Sequence, residues 1–176
     1  MKRRNYFFVF LILLGGVLIF GKVLAANTDI VITEIGAYEA SGHEWIEIWN
    51  KGSEQVDMAD WKLWEENGAS QNHKITTSTT DSVIAPGEYA IIAQDDSQFL
   101  LDYPNFLGSI FDSSFTLNES GEEIGLEDAE GNSVEKFTYI PATHFSLQRK
   151  DANVADYTSA NWAEHASGNT VGGINI

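Results

Sequence analysis

From residue 29 onward, short apolar stretches alternate with turn-forming clusters. Residues 30–35 read IVITEI, rich in β-branched side chains and closed by Gly36; EWIEIWN at 44–50 runs into Lys51-Gly52. WKLW at 61–64 precedes ENG, HKITT spans 73–77, and Pro86-Gly87 introduces EYAIIA at 88–93. EIGLED (123–128) and SVEKFTY (133–139) flank AEGN, the pattern of a hairpin, and HFSLQ at 144–148 supplies another short strand. About eight short strands at this spacing, without alternating long helices, predict an all-β sandwich or barrel. One helix is expected in DDSQFLLD at 95–102: Asp95, Asp96 or Ser97 caps it, Phe99 and Leu100 face the core, and Tyr103-Pro104 stops it. The glycine-rich tail SGNTVGGINI is expected to be irregular, with Ile174 and Ile176 as its apolar anchors.

The first residues follow a different pattern. Lys2, Arg3 and Arg4 precede an uncharged run from Asn5 to Gly21, and Lys22 and VLAA follow. A basic start, an apolar middle and a small-residue ending predict an export signal, cleaved after Ala25 or Ala26. The run is slightly shorter than an ordinary membrane span, and an uncleaved anchor is the alternative. The chain therefore divides into a signal peptide or N-terminal anchor at 1–26 and one domain at 27–176, delivered outside the cytoplasm. Membrane contact is expected only through residues 5–21, and only if the signal is retained.

Removing the leader changes the charge. Four of the ten basic residues lie in it, whereas all 26 acidic residues follow, so the domain carries six basic groups against 26 acidic ones, a net −20. Such a field repels nucleic acid and anionic lipid, and the remaining basic residues do not cluster. Nucleic acid is not expected as a partner. Cysteine is absent, so neither disulfides nor thiol chemistry contribute.

The stretch His43–Asn50 concentrates the candidate chemistry. HEWIE looks like a damaged zinc-protease motif, but such a site needs histidines at i and i+4 on a helix, and here Glu47 takes the second position. Ile46, Ile48 and Trp49 favour extended backbone. On a strand, Ile46 and Ile48 share the core side with Glu44 and Asn50, while His43, Trp45, Glu47 and Trp49 form the opposite row. That row is expected to be covered and packed, with Trp61, Trp64 and Trp162 as neighbours and Glu47 near solvent. The sharper alternative makes Trp45, Glu47 and Trp49 a ligand face, on which sugar rings stack against indole while a carboxylate meets hydroxyls.

Several segments together resemble the lamin-tail domain, an immunoglobulin-like β-sandwich. They are ITEI at 32–35, EWIEIWN at 44–50, VDMADWKLW at 56–64, IAPGEYAII at 84–92, LNESGEEIGLEDAEG at 117–131, SLQR at 146–149 and TVGGIN at 170–175. They occur in the family's order along essentially the whole domain. Val171 stands where the family pattern has proline, and with little sequence beyond Asn175 no fused enzyme domain is expected. The resemblance implies a partner-binding scaffold and brings no catalytic set. The motif residues also have physical roles of their own: Asn50 and Gly52 suit a turn, with Asn50 able to bond nearby backbone and Gly52 able to take positive φ, and Pro86-Gly87 suits a type II turn. Asn118, Ser120 and Gly121 build a bend, and Asp60-Trp61 sets an aromatic near a sheet edge.

Other chemistry is thinly supported. His43, His73, His144 and His165 show no metal-ligand spacing, and neither GxSxG nor GxxxxGK[ST] occurs in the domain. His144 and Ser146 share a face if that segment is extended, but no carboxylate completes a triad. Adjacent acids recur at 65–66, 95–96, 122–123 and 127–128, where a solvated surface is the default reading. Calcium, which takes oxygen ligands, is the minor alternative, although EF-hand spacing is absent. No catalytic residue, cofactor or metal ligand is therefore assigned. The expected function is a noncatalytic extracytoplasmic interaction or structural module, with an envelope protein or polysaccharide as partner. A carbohydrate- or envelope-polymer-binding module is the runner-up, and a hydrolase with an unrecognised site comes third.

Overall fold

A computed structural model of the chain describes residues 28–66, 71–78 and 81–175. The leader at 1–26 and the Ile176 anchor lie outside the described residues. In chain order the strands are β1 (Ile30–Ile35), β2 (Trp45–Asn50), β3 (Val56–Asp57), β4 (Lys62–Glu65), β5 (Asn72–Lys74), β6 (Thr76–Thr77), β7 (Val83–Ile84) and β8 (Tyr89–Ala93). Helix α1 (Asp96–Asp102) follows, then β9 (Ile110–Asp112), β10 (Glu123–Glu127), β11 (Ser133–Thr138), β12 (Leu147–Arg149) and β13 (Trp162–Glu164). Seven strands form one sheet in the order β13-β12-β1-β2-β8-β9-β6; four form a second, β11-β10-β4-β5; and β3 pairs with β7. The mostly-β architecture is consistent with an immunoglobulin-like β-sandwich, and no helix among the described residues is long and apolar enough to cross a membrane.

The main core lies between the two larger sheets. Ile30, Ile32, Ile35, Ile46, Ile48 and Ile92 of the seven-stranded sheet pack in one cluster with Leu63, Ile124, Leu126 and Phe137 of the four-stranded sheet. Strand β1 contributes three isoleucines at uneven spacing because its pairing with β2 shifts between Ile32 and Glu34. This β-bulge at Thr33 resets the inward-outward alternation, so that both Ile32 and Ile35 face inward. It also sets Glu34 directly opposite Glu47 on the sheet's outer face.

That outer face is covered as well. Trp45, Ile91, Ala93, Phe99 and Ile110 form a second cluster, closed by Tyr103, Phe106 and Val171. Strands β8 and β9 pair in parallel, and parallel neighbours need a crossover, which α1 provides on this face. Its predicted start and stop are present: the Asp95 carboxylate accepts the Gln98 amide at 3.0 Å, and the helix gives way at Tyr103. Phe99 is its buried residue, whereas Leu100, expected to face the core, is 45% exposed. The seven-residue helix has room for one apolar anchor.

Three further expectations change. HKITT is not one strand: β5 belongs to the four-stranded sheet, β6 to the seven-stranded sheet, and buried Ile75 carries the chain between them, its amide bonded to the Trp61 carbonyl at 3.1 Å. Trp61 and Trp162 lie in the main core and Trp64 sits beneath the Lys136 ammonium, so none of the three roofs the Trp45 row. Gly52 does not take positive φ; a Cβ there would come within 2.6 Å of the Asp29 side chain, and close approach explains the glycine. Gly87 does take positive φ, at 78°, and the Glu88 amide returns to the Ala85 carbonyl at 3.1 Å, as a type II turn requires.

A buried ion pair ties the sheets together. Arg149 of β12 meets Glu135 of β11 at 2.8 Å, with both side chains nearly inaccessible. The pair also serves the backbone of β1: the Ile32 amide donates to Glu135 Oε2 at 2.7 Å, and Arg149 Nη1 donates to the Ile32 carbonyl at 3.0 Å. Pairing of β1 with β12 is confined to Glu34 and Ile35, so the ion pair continues the ladder at Ile32 with side chains. Arg149→Leu should cost about 3–5 kcal/mol by leaving a buried carboxylate without its cation. Because the Ile32 groups would also lose their partners, Arg149→Leu combined with Glu135→Leu should not restore stability. Urea denaturation of both variants checks this, and full recovery in the double variant would contradict the backbone role.

Candidate functional site

The outer face of the seven-stranded sheet gathers the residues singled out in the sequence. Trp45 and Glu47 are both fully buried, while Trp49, at the end of β2, is half-buried. They do not form one open ligand face, and Glu47 is not near solvent. The Trp45 indole packs edge-on against Phe99 and Tyr103 at 6.5 and 6.0 Å, and Gly36 makes room for it: a Cβ at Gly36 would come within 2.5 Å of the ring. Trp49 lies beyond this cover, opposite Tyr89 of β8 and nearly parallel to it, with ring centroids 5.9 Å apart.

Between the two tryptophans, the C-terminal tail occupies the sheet. Glu47 accepts the Thr33 hydroxyl at 2.7 Å and the Gly172 amide at 2.7 Å. Glu34 accepts the Thr170 amide at 3.0 Å, the Gln148 side chain at 3.2 Å and the Ser146 hydroxyl. The Thr170 hydroxyl lies 2.8 Å from the same carboxylate. Asn175 Nδ2 completes the latch, donating to the carbonyls of Thr33 at 2.7 Å and Arg149 at 3.0 Å. Of the two expected apolar anchors, Ile174 is 79% exposed, and the described tail is held instead by these polar contacts and by Val171 against the second cluster. Burial pushes the Glu47 carboxyl up to about 8; Glu34 opposite adds to the rise, and the Thr33 and Gly172 hydrogen bonds oppose it.

A second group of carboxylates grips a loop at one end of the sandwich. Glu65, Glu44 and Glu122 accept the successive amides of Thr116, Leu117 and Asn118 at 2.9, 2.8 and 2.8 Å. All three acids are nearly inaccessible. Burial raises Glu44 to about 7, against the pull of the Leu117 amide and with help from the neighbouring carboxylates Glu65, Glu122 and Glu119. Burial also raises Glu65, opposed by the Thr116 amide and by His73, whose Nε2 lies 3.0 Å away. Three acids from separate segments thus hold three consecutive amides, a role that requires acceptors and no bound ion.

The remaining catalytic candidates stay apart. The Ser146 hydroxyl faces Glu34, whereas His144 is largely exposed beside Thr143 and Glu164, so no Ser–His contact forms. His43 pairs with Asp102 at 2.7 Å, and its motif partner Glu47 is bound to the tail. Among the described residues, no three His, Cys, Asp or Glu side chains are grouped to hold a metal. Of the acidic runs, Asp95 caps α1, Asp128 accepts the Glu130 and Asn132 amides of the hairpin turn, and Glu65 and Glu122 grip the loop. The latch was half visible in the sequence, as ITEI, EWIEIW and TVGGIN, but nothing in their spacing showed that they meet.

Two larger sheets around a main core, a covered outer face and carboxylates bound to backbone amides are consistent with an immunoglobulin-like β-sandwich module. A sequence model of the Lamin Tail Domain family matches residues 24–141, more than half the chain. The chain belongs to that family, whose domain is a noncatalytic one. No curated protein matches the chain in sequence. The matched region ends before β12, so two strands of the main sheet and the tail residues of the latch lie outside it, whereas Glu34 and Glu47 lie within it.

Two measurements test the latch. In the unfolded chain Glu44 and Glu47 ionise near the ordinary 4.5, and in the fold near 7 and 8. Between those values the native state holds the extra protons, so their contribution to stability is greatest below about pH 4.5, declines as pH rises and levels off above about 8. Glu47→Gln should flatten this decline in melting temperature measured from pH 5 to 9; an unchanged slope would contradict a neutral Glu47. Gly172 has φ of 78° and an ideal Cβ would lie 3.2 Å from the Phe106 ring, so Gly172→Ala should cost about 1–2 kcal/mol in urea unfolding.

Proposed function

We propose that this chain is an exported interaction module that acts outside the cytoplasmic membrane, either secreted or held at the envelope by its N-terminal segment. The observation that carries the noncatalytic reading is the commitment of its buried acids. Glu34, Glu44, Glu47 and Glu65 each accept backbone amides that other segments present, and Glu122 accepts the Asn118 amide of its own bend. Buried carboxylates with shifted protonation are the ordinary raw material of acid–base catalysis, but such groups must reach a substrate. Here they reach the chain itself. Export rests on the basic-apolar-small order of residues 1–26.

The partner class follows from charge and surface. A domain at −20 disfavours nucleic acid and leaves an envelope protein or a polysaccharide as the expected partner. The half-buried Trp49–Tyr89 pair gives the polysaccharide reading a specific foothold.

Expression of the full chain with protease shaving of intact cells, N-terminal sequencing and cross-linking at the envelope tests the proposal. The domain should be digested from outside, with Ala26 or Asn27 first if the signal is cleaved and Met1 if it is kept. It should also cross-link saturably to an envelope component. Protection inside the cytoplasm would refute export, and an exported domain that engages no envelope component would refute the interaction role.

A further inference from the structure

The outer face is sealed at Trp45 by α1 and at Glu47 by the tail, but the cover stops short of Trp49. A cavity of about 230 Å³ opens there. Trp49 and Tyr89 face it from the sheet, Asp151 and Asn153 from the loop after β12, and Ile174 and Asn175 from the tail. We propose that this groove is a binding site for a neutral polysaccharide, with one or two sugar rings lying against the Trp49–Tyr89 pair. This rests on the interaction-module reading above and names its ligand.

Three observations favour a sugar. The two rings are within 16° of parallel, with centroids 5.9 Å apart, and both side chains are only half-buried. Large aromatic faces of this kind, apolar but rimmed with polar groups, suit ligands that are themselves apolar on one face and polar at the edge; the C–H face and hydroxyl rim of a pyranose have that form. The polar groups are also of the right kind, since Asp151 and Asn153 line the groove and are exposed. Although the Asn153 backbone amide and Nδ2 both donate to Asp151 Oδ1, the second carboxylate oxygen and the Asn153 side-chain amide oxygen are of the type that meets ring hydroxyls. The volume fits as well: pockets that enclose drug-sized ligands run from about 300 to 1,000 Å³, and a smaller open groove suits one or two units of a chain that continues past it.

Charge argues for a neutral ligand. The aromatic pair alone would also suit a quaternary ammonium group, and the domain's overall charge would attract one. At the groove, however, the lining carries both signs, Arg149 and Lys150 as well as Asp151, with the Lys150 ammonium held by the Ser159 and Ala160 carbonyls. Nor can Glu47 supply a counter-charge, because it lies under the tail with both oxygens engaged. The tail itself makes the groove's far wall through Ile174 and Asn175, and the two Asn175 hydrogen bonds set that wall. An apolar side chain left 79% exposed at Ile174 gains a role as the edge against which a ring rests.

The test titrates the folded chain, without its leader if that is cleaved, with neutral β-linked hexasaccharides of glucose, N-acetylglucosamine and xylose, following heat by calorimetry and ligand protons by NMR. At least one should bind saturably, with ring protons shifted upfield by the indole. Trp49→Ala and Tyr89→Ala should each weaken binding at least tenfold while circular dichroism and melting show the fold retained, and Trp49→Phe should recover part of the loss. Tyr89→Ala keeps the test usable if Trp49→Ala unfolds. No binding to any of the three sugars, binding unchanged in both alanine variants, or binding of choline in their place would overturn the proposal. Envelope cross-linking that survives in both variants would then show that the interaction-module reading stands without this ligand.

Discussion

One extra residue in β1 governs the arrangement of the whole sheet. A regular strand would alternate faces throughout, so Ile32 and Ile35 could not both point into the core. The bulge at Thr33 allows both. The same shift brings Glu34 across from Glu47, where two carboxylates on a buried face would repel each other and lie desolvated without partners. The tail resolves this by presenting amides and hydroxyls to both. Thr33 itself is part of the solution, since its hydroxyl binds Glu47 and its carbonyl receives Asn175. Core packing and tail docking are thus two results of one backbone irregularity.

The acidity of the domain has a similar double character. A chain with 26 acids and few bases would ordinarily be read as a solvated, mutually repelling surface. Several of these acids are instead internal fasteners for segments without regular pairing. Glu164 repeats the device on the surface, accepting the amides of Thr143, His144 and Phe145. A carboxylate offers several lone-pair sites and no donors, so it can collect amides from a loop that has no strand to pair with. For a domain without cysteine, this replaces covalent closure of its irregular segments.

The regular parts were legible in the sequence because alternation and turn chemistry are local signals. The strands at 30–35, 45–50, 89–93 and 123–138, the Asp95 cap and the AEGN hairpin follow from them. The strands missed, β3, β7, β9 and β13, are two or three residues long, too short for a period to show. The 73–77 segment read as continuous because Ile75 fits either sheet, and only the tertiary fold assigns its two halves to different ones. At the candidate site, parity correctly separated the isoleucines from the tryptophan row. It could not show that Glu47 is buried, since its cover comes from residues more than a hundred positions away. Ile174 looked like an anchor by composition, while Thr170, Gly172 and Asn175 hold the tail by geometry that composition does not carry.

The latch also imposes an order in time. Except for the Arg149 carbonyl, its acceptors lie in the first strands, and its donors at 170–175 are separated from those by 125 to 142 residues. A chain emerging from its amino terminus exposes Glu34 and Glu47 long before anything can bind them, and contacts so distant in sequence are among the last to close. Until then the outer face of the sheet is wet and its carboxylates are hydrated. The native burial of those carboxylates therefore begins only when residues 170–175 reach the sheet, which makes sealing of this face a late step that reports on the rest of the fold.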